Sequence, residues 1–279
     1  MIIWLASYPK SGNTFLRSLL SSYLFTNDGI FNFEVIKNIK QFPSAGIFKN
    51  LGIDSNNDLE VVKNYIYVQE EINKADQNNI RILKTHCTLH KVNGYSFTNL
   101  ENTLGAIHIV RDPRNVISSY ANHYRENLDQ AFESLKRFSV YRHDNGGIIS
   151  HVGSWSSHYN VWKTFKSTNK YLLIKYEDLL SDTRNNIIKI LKFIYTINKV
   201  NFILDEVKLK NTIQSTKFEK VKILEKKEGF NEAVYDKENK PIPFFNSGPD
   251  NDWRKKLPDK IRIKIEEAFK QEMVELGYL

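Results

Sequence analysis

The chain of 279 residues has one cysteine, Cys87, so no intrachain disulfide can form, as suits a reducing cytoplasmic setting. Long apolar runs are also missing. The opening MIIWLASYPK has no basic leader and is too short for a signal segment or a membrane span. There is no internal repeat and no low-complexity tract, which excludes solenoid and disordered classes. Zinc-finger and RNP signatures are absent as well. The formal net charge of +8 therefore reads as a surface of scattered lysines, with no nucleic-acid partner expected. One further absence concerns the first loop, YPKSGNTFLRSLL (8–20). It has the look of a phosphate loop running into a helix, yet no glycine precedes Lys10. The triphosphate pattern, which needs a glycine ahead of a Gly-Lys-Ser/Thr ending, is not met.

What is present is ordinary in bulk: 41% hydrophobic and 26% charged residues, as in a globular protein. No domain boundary is visible, so residues 1–279 are expected to form one domain. Four short apolar runs, at 2–7, 80–85, 104–110 and 170–176, read as buried strands. Each is followed by a helical pattern, which implies a central parallel sheet in a three-layer α/β/α arrangement. Helices are expected at about 14–25, from near Asp58 (carrying Leu59, Val62 and Ile66), after Pro113, over 182–195 with Asp182 as N-cap, and from Pro258 to Gly277. The stretches 41–57 and 227–252 fit neither period; long connections of this kind often act as lids or binding loops.

Several residues fall where such a sheet binds ligands, at the C-terminal ends of its strands. In the first loop, Gly12 allows close backbone approach, and the first N–H groups of the following helix form an anion site. Ser11, Asn13 and Thr14 offer side-chain donors and Lys10 a charge. The bland alternative is a simple strand–helix turn capped by Ser and Asn. Arg111 ends another strand, and Ser119 lies on the helix that Pro113 opens; a surface ion pair is the alternative for Arg111. Asp112 could imitate a magnesium-binding acid, but Pro113 and Arg114 follow it and the triphosphate loop is missing. Lys84 and His86 end a third strand, where a histidine can take a proton near neutral pH. His86 and His90 are four apart, without the carboxylate or cysteine partners of a zinc site, so no metal is expected. Ser119 and His123 share one helix face, which would bring His123 toward the same edge, but a helix-packing or solvent-facing histidine is the preferred reading there.

PKSGNT, LKTH, VRDPRNVISSY and KYEDLL, in that order, resemble the sulfotransferases that use 3′-phosphoadenosine 5′-phosphosulfate (PAPS), over residues 2 to about 255. The resemblance implies the P-loop NTPase-like form of the α/β fold. It also implies that Ser11, Gly12, Asn13 and Thr14 cradle the 5′-phosphosulfate, while Lys10 reaches the bridging oxygen. Arg111 and Ser119 would meet the 3′-phosphate. Tyr176 would meet the adenine, with Phe15 standing where the family has a stacking Trp. STKFEK makes Phe218 a candidate for the other adenine face, and FNSGPDNDWRKK keeps Gly248. That last segment has Asn246 and Ser247 where the family carries a basic pair, and Arg254 is the candidate substitute. The family's dimer motif is absent, so its oligomeric state does not carry over.

By the same resemblance His86 is the general base, with Lys84 on the transferring group and Lys10 on the departing phosphate. PAPS is the implied cofactor, PAP its product, and a small molecule, glycan or lipid the acceptor. The segments 41–57, 88–102 and 227–249 are expected to shape the acceptor pocket. A nucleotide-dependent kinase and a non-catalytic anion- or nucleic-acid-binding module are the competing classes.

Overall fold

The computed structural model describes residues 1–75, 80–142, 147–230, 232, 234–235, 241–246 and 248–279. Six strands longer than two residues occur in chain order: β1 (Ile2–Ser7), β2 (Arg81–Thr85), β3 (Thr103–Val110), β4 (Ser139–Arg142), β5 (Ile149–Gly153) and β6 (Tyr171–Lys175). The four runs expected to be strands are β1, β2, β3 and β6. They form one sheet in the order β2-β1-β3-β6, parallel throughout. The strands β4 and β5 make a separate antiparallel hairpin.

Alternation within β1 explains the layers, because successive side chains of a strand point to opposite faces. Ile3 and Leu5 join Leu16, Leu19 and Leu20 of the Asn13–Phe25 helix and Ile187, Ile190 and Leu191 of the Thr183–Ile197 helix. Ile2, Trp4 and Ala6 join Val62, Tyr65, Val68 and Trp162 on the other face. Each fully buried leucine contributes about 1.5–3 kcal/mol relative to exposure, so the first helix is held by its packing face rather than by propensity. The register Ser7↔Ile109 and Ala6↔Thr85 brings the ends of three strands to one edge, and β6 ends beside β3 there.

Some expected boundaries shift. The helix near Asp58 is two segments, Asp58–Lys63 and Tyr65–Ala75, and Asn57 caps the first through Leu59 N–H and Glu60 N–H. Val61, Val62, Tyr65 and Val68 form its buried face, while Leu59 is 48% exposed. Pro258 is the residue before the C-terminal helix, which breaks at Phe269 into Asp259–Ala268 and Lys270–Glu275. Strand β6 ends at Lys175, and Tyr176 opens a short helix. The stretch 41–57 gains order from β2: Phe42 N–H donates to Lys84 O at 2.8 Å and Lys84 N–H to Lys40 O at 2.9 Å. A helix, Ala45–Asn50, follows.

Candidate active site

The first loop holds two left-handed residues, Lys10 (φ 65) and Gly12 (φ 95). A Cβ on Gly12 would lie 2.3 Å from the Tyr176 ring, so glycine is required there by backbone and by neighbour alike. The helix behind it starts with no side-chain cap, leaving its first N–H groups to the cleft. Two of the expected side-chain donors are committed elsewhere. Asn13 Nδ2 turns back to Leu5 O (3.2 Å) and Ser7 Oγ (3.0 Å). Ser11 Oγ is buried without a partner, in a small void beside Tyr8, His108 and His158. Lys10, Asn13 and Thr14 line the cleft, whereas Ser11 is not among its lining residues and borders the void instead.

The loop forms one side of a cleft of about 1020 Å³, at the upper end of small-molecule sites. Lys10, Lys84, His86, Arg111 and Ser119 all line it, so the structure brings the expected site residues of three strand ends together. Lys10 Nζ sits 4.5 Å from the centre of the Phe244 ring. Burial, with Lys84 and Arg111 nearby, lowers its pKa to about 8, against the pull of Glu232. Burial also lowers Lys84, whose Nζ is 3.3 Å from Glu232 Oε2. Burial alone would raise the Glu232 carboxyl, but Lys84 and Arg17 outweigh it and bring it to about 2. The Arg111 guanidinium lies over Tyr176 (4.3 Å) and donates to Lys10 O (3.2 Å), while its buried Nε–H has no protein acceptor. Asp112, weighed as a magnesium acid, caps the Pro113–Tyr124 helix through Arg114 N–H and pairs with the Arg114 guanidinium at 2.7 Å.

His86 Nδ1 lies 2.7 Å from Ser7 O and 3.1 Å from Ser7 Oγ. A carbonyl only accepts, so Nδ1 carries the proton and the lone pair belongs to Nε2. His90 instead meets Thr88 Oγ1 through Nδ1 (2.9 Å) and its ring neighbours Phe138. Among the described residues no group of three or more His, Cys, Asp or Glu is placed to hold a metal ion. His123 does reach the cleft. Burial, then Lys10 and Lys84, lowers its pKa to about 3, so it is neutral at ordinary pH.

Phe15, Tyr176, Phe218 and Gly248 line the far part of the cleft. Phe15 and Tyr176 meet edge to face at 6.4 Å, and Gly248 (φ 48) packs so closely on Phe218 that a Cβ would fall 2.4 Å from its ring. Asn251 Nδ2 donates to Asn115 O (2.8 Å) and Trp253 N–H to Asn115 Oδ1 (2.9 Å), which ties this segment to the start of the Pro113–Tyr124 helix. Of the two positions facing the family's basic pair, Asn246 lines the cleft and Ser247 lies outside the described residues. Arg254 points away: its guanidinium lies over Trp253, 4.7 Å from the ring centre, and its side chain is 69% exposed. Besides Lys10, Lys84 and Arg111, the cations that line the cleft are Lys217 and Lys256. Lys217, Lys256 and Arg17 lie within the stretches STKFEK, FNSGPDNDWRKK and YPKSGNTFLRSLL, but sequence reasoning gives them no role there, and it anticipates Glu232 and Phe244 only as part of 227–249. The segment 88–102 is absent from the described lining and packs Phe97 against Trp4 and Phe42 instead. Gly147 and Ile148, ahead of β5, line the cleft unexpectedly.

The sequence matches the sulfotransferase domain family over residues 2–277. The chain belongs to that family. Sulfotransferase 1E1 of Mus musculus is 24% identical over 274 residues, covering 96% of this chain and 82% of that protein. The flavonol 3-sulfotransferase of Flaveria bidentis is 24% identical, covering 99% and 82%. Among solved structures, mouse sulfotransferase SULT7A1 complexed with PAP is similar with a TM-score of 0.59 at 20% identity, covering 97% of this chain and 84% of that one. Retinol dehydratase in complex with retinol and PAP gives 0.60 at 20% identity, covering 98% and 81%. The layered parallel sheet is thus the P-loop NTPase-like α/β fold of sulfotransferases. Among the described residues, no helix is long and apolar enough to cross a membrane.

Proposed function

We propose that residues 1–279 form a single catalytic domain. It moves a sulfuryl group from PAPS to a hydroxyl or amine of a small-molecule, glycan or lipid acceptor and releases PAP. The observation that carries this reading is the charge balance of the cleft. Lys84 and Arg111 are buried and Lys10 half-buried, and among the described residues the carboxylate that meets them is the half-buried Glu232. Buried cations in excess call for an anionic ligand. The residues also fit the nucleotide in shape. Gly12 lets the loop backbone lie directly against the Tyr176 ring, and Arg111 holds a buried N–H without an acceptor among the described residues. Relatives named for steroids and a flavonol favour the small-molecule class of acceptor.

When bound, PAPS supplies a sulfuryl group on a phosphate leaving group. His86 Nε2 takes the acceptor proton, its ring oriented by the bond from Nδ1–H to Ser7 O. General-base assistance of this kind contributes about 10²–10⁴-fold. Lys84 stabilises the transferring group and Lys10 the charge developing on the bridging oxygen, as in other displacements governed by electrostatics and positioning. The first-helix N–H groups with Thr14 hold the 5′-phosphate, and Arg111 and Ser119 the 3′-phosphate. Phe15, Tyr176, Phe218 and Gly248 enclose the adenine.

A thermal-shift comparison of PAP with ADP, AMP and ATP–magnesium tests the reading. At a hundredfold excess over Kd, PAP should stabilise the fold by about 2.7 kcal/mol, a Tm rise of roughly 5–10 °C. An equal shift with ADP would refute the PAPS assignment, and one confined to ATP–magnesium would favour a kinase.

A further inference from the structure

Two charged residues, Glu232 in the cleft lining and Arg17 buried behind it, have no part in the chemistry above. Arg17 lies on the first helix, one turn beyond Asn13, with its side chain 4% exposed. Its Nη2 donates to Ile36 O at 3.3 Å and its Nη1 to Glu232 Oε1 at 2.7 Å. The other carboxylate oxygen, Oε2, accepts from Lys84 Nζ at 3.3 Å. The two contacts are unequal: Glu232 is anchored on a fixed guanidinium and meets the lysine more loosely. An ammonium has three donors. Among the described residues Glu232 takes one of those of Lys84, and the lysine still lines the cleft.

The charged and titratable groups around Lys84 come from every neighbouring element. Lys10 approaches from the first loop, Arg17 from the first helix and His123 from the Pro113–Tyr124 helix, while His86 follows on the same strand end. Glu232 is the anion of this set. A buried ammonium flanked by two other cations needs a counterion to stay charged. A carboxylate seated in the sulfuryl position itself would be expected to engage Lys10 and Lys84 equally. Here Lys10 Nζ lies over the Phe244 ring, and the carboxylate leans on Arg17.

We propose that Glu232, anchored by Arg17, is a positioning residue for sulfuryl transfer. It holds the Lys84 ammonium charged and in place through one hydrogen bond, which leaves the remaining donors to the substrate. The inference rests on the proposed PAPS-dependent reaction.

Its test is a double-mutant cycle on the full chain. Glu232→Gln preserves the shape of the side chain and an oxygen for Arg17; Lys84→Met removes the group through which Glu232 acts. Glu232→Gln should keep the stabilisation by PAP and lower kcat about tenfold, a typical coupling for one buried pair. The alkaline limb of its kcat profile should move to lower pH, while the acid limb stays. In the Lys84→Met background the same change should alter kcat by less than about twofold. An equal loss in both backgrounds would show a merely structural role and overturn the proposal. A lower KM for PAPS with kcat unchanged or raised would also overturn it, because the carboxylate would then compete with substrate. A wild-type chain that neither binds PAP nor turns over PAPS defeats the reading beneath the proposal. An active wild type with uncoupled variants defeats the relay alone.

Discussion

The two walls of the cleft are built differently. One consists of strand ends: the loop after β1, Lys84 and His86 at β2, Arg111 after β3 and Tyr176 after β6. Its charges are placed by sheet register, and the parallel ladders that fix them run through the core. The other wall is the Phe218–Glu228 helix with Glu232, residues 242–246 and 248–249, Asn251 and Lys256. It rests on an aromatic cluster of Phe31, Phe33, Phe230, Phe244 and Phe245. The Glu225 carboxylate ties the wall together by accepting from Phe244 N–H (2.7 Å) and Phe245 N–H (3.1 Å). A charge set by register cannot shift without disturbing the sheet, whereas a wall of rings can repack at low cost. On the proposed mechanism the reacting groups belong to the first wall, while the second adds adenine contacts and, through Glu232, a brace for Lys84.

The sharpest break in this contrast is His86→Ala. On the proposed mechanism it removes a first-wall group that serves the acceptor and not the nucleotide, so kcat should fall about 10²–10⁴-fold while PAP affinity holds. His90→Ala, outside the cleft, should stay near wild type. Turnover and PAP titration on both variants check this; a fully active His86→Ala enzyme removes the base assignment.

The glycines compare the walls directly. Gly12→Ala forces a Cβ against the Tyr176 ring, which Arg111 covers from beyond. It should cost about 1–3 kcal/mol of stability and weaken PAP at least about tenfold. Gly248→Ala meets the half-buried Phe218 at the start of a helix, where the ring can turn aside, and should weaken PAP only about threefold. Melting curves with and without PAP would show the order; equal losses would erase the distinction.

A pH titration sharpens the first wall. On the proposed reading the ligand meets charged Lys10, whose pKa is lowered to about 8 by burial and by Lys84 and Arg111. Affinity for PAP should thus be level below pH 8 and fall above it, approaching about tenfold per pH unit as the proton is lost. A level affinity through pH 9.5 would place Lys10 away from the ligand. The smallest expected effect is at the second wall's basic rim. Lys256→Ala should weaken PAP about twofold to fivefold, as for a screened, exposed cation, and Arg254→Ala not at all. Isothermal titration at low and moderate salt distinguishes the two, and the reverse order would return Arg254 to the site.

The sheet was legible because its strands are continuous apolar runs, buried on both faces, and because each carries its motif at the edge that binds. Gly12, Lys84, His86 and Arg111 could be placed together from that topology, and Tyr176 from the resemblance of KYEDLL. Side-chain direction was not legible. Nothing in SGNT reveals that Asn13 would bond back to Leu5 and Ser7, or that Ser11 would face an inner void. Nor can local pattern reach pairs distant in sequence. Arg17 and Glu232 lie 215 positions apart, and Lys256 reaches the cleft only because Asn115 anchors the segment before it. The exposed Leu59 is a periodicity error of another kind: the break at Asn64 rotates the apolar stripe, which 3.6-residue spacing from Asp58 does not anticipate.

Two turns of the first wall share a brace that comes from far along the chain. The Glu177 carboxylate takes Asp112 N–H on one oxygen (3.0 Å) and the Tyr278 hydroxyl on the other (2.9 Å). Tyr278 O in turn accepts from Arg114 at 2.7 Å. Synthesis proceeds from the N-terminus at about 5–20 residues per second. The loop at Lys10 and the turns at Asp112 and Glu177 are therefore made well before the residue that locks the last two together. Assembly of the nucleotide-facing wall is timed by its final strut, and a ribosome-bound chain short of Tyr278 carries the site's residues without that lock.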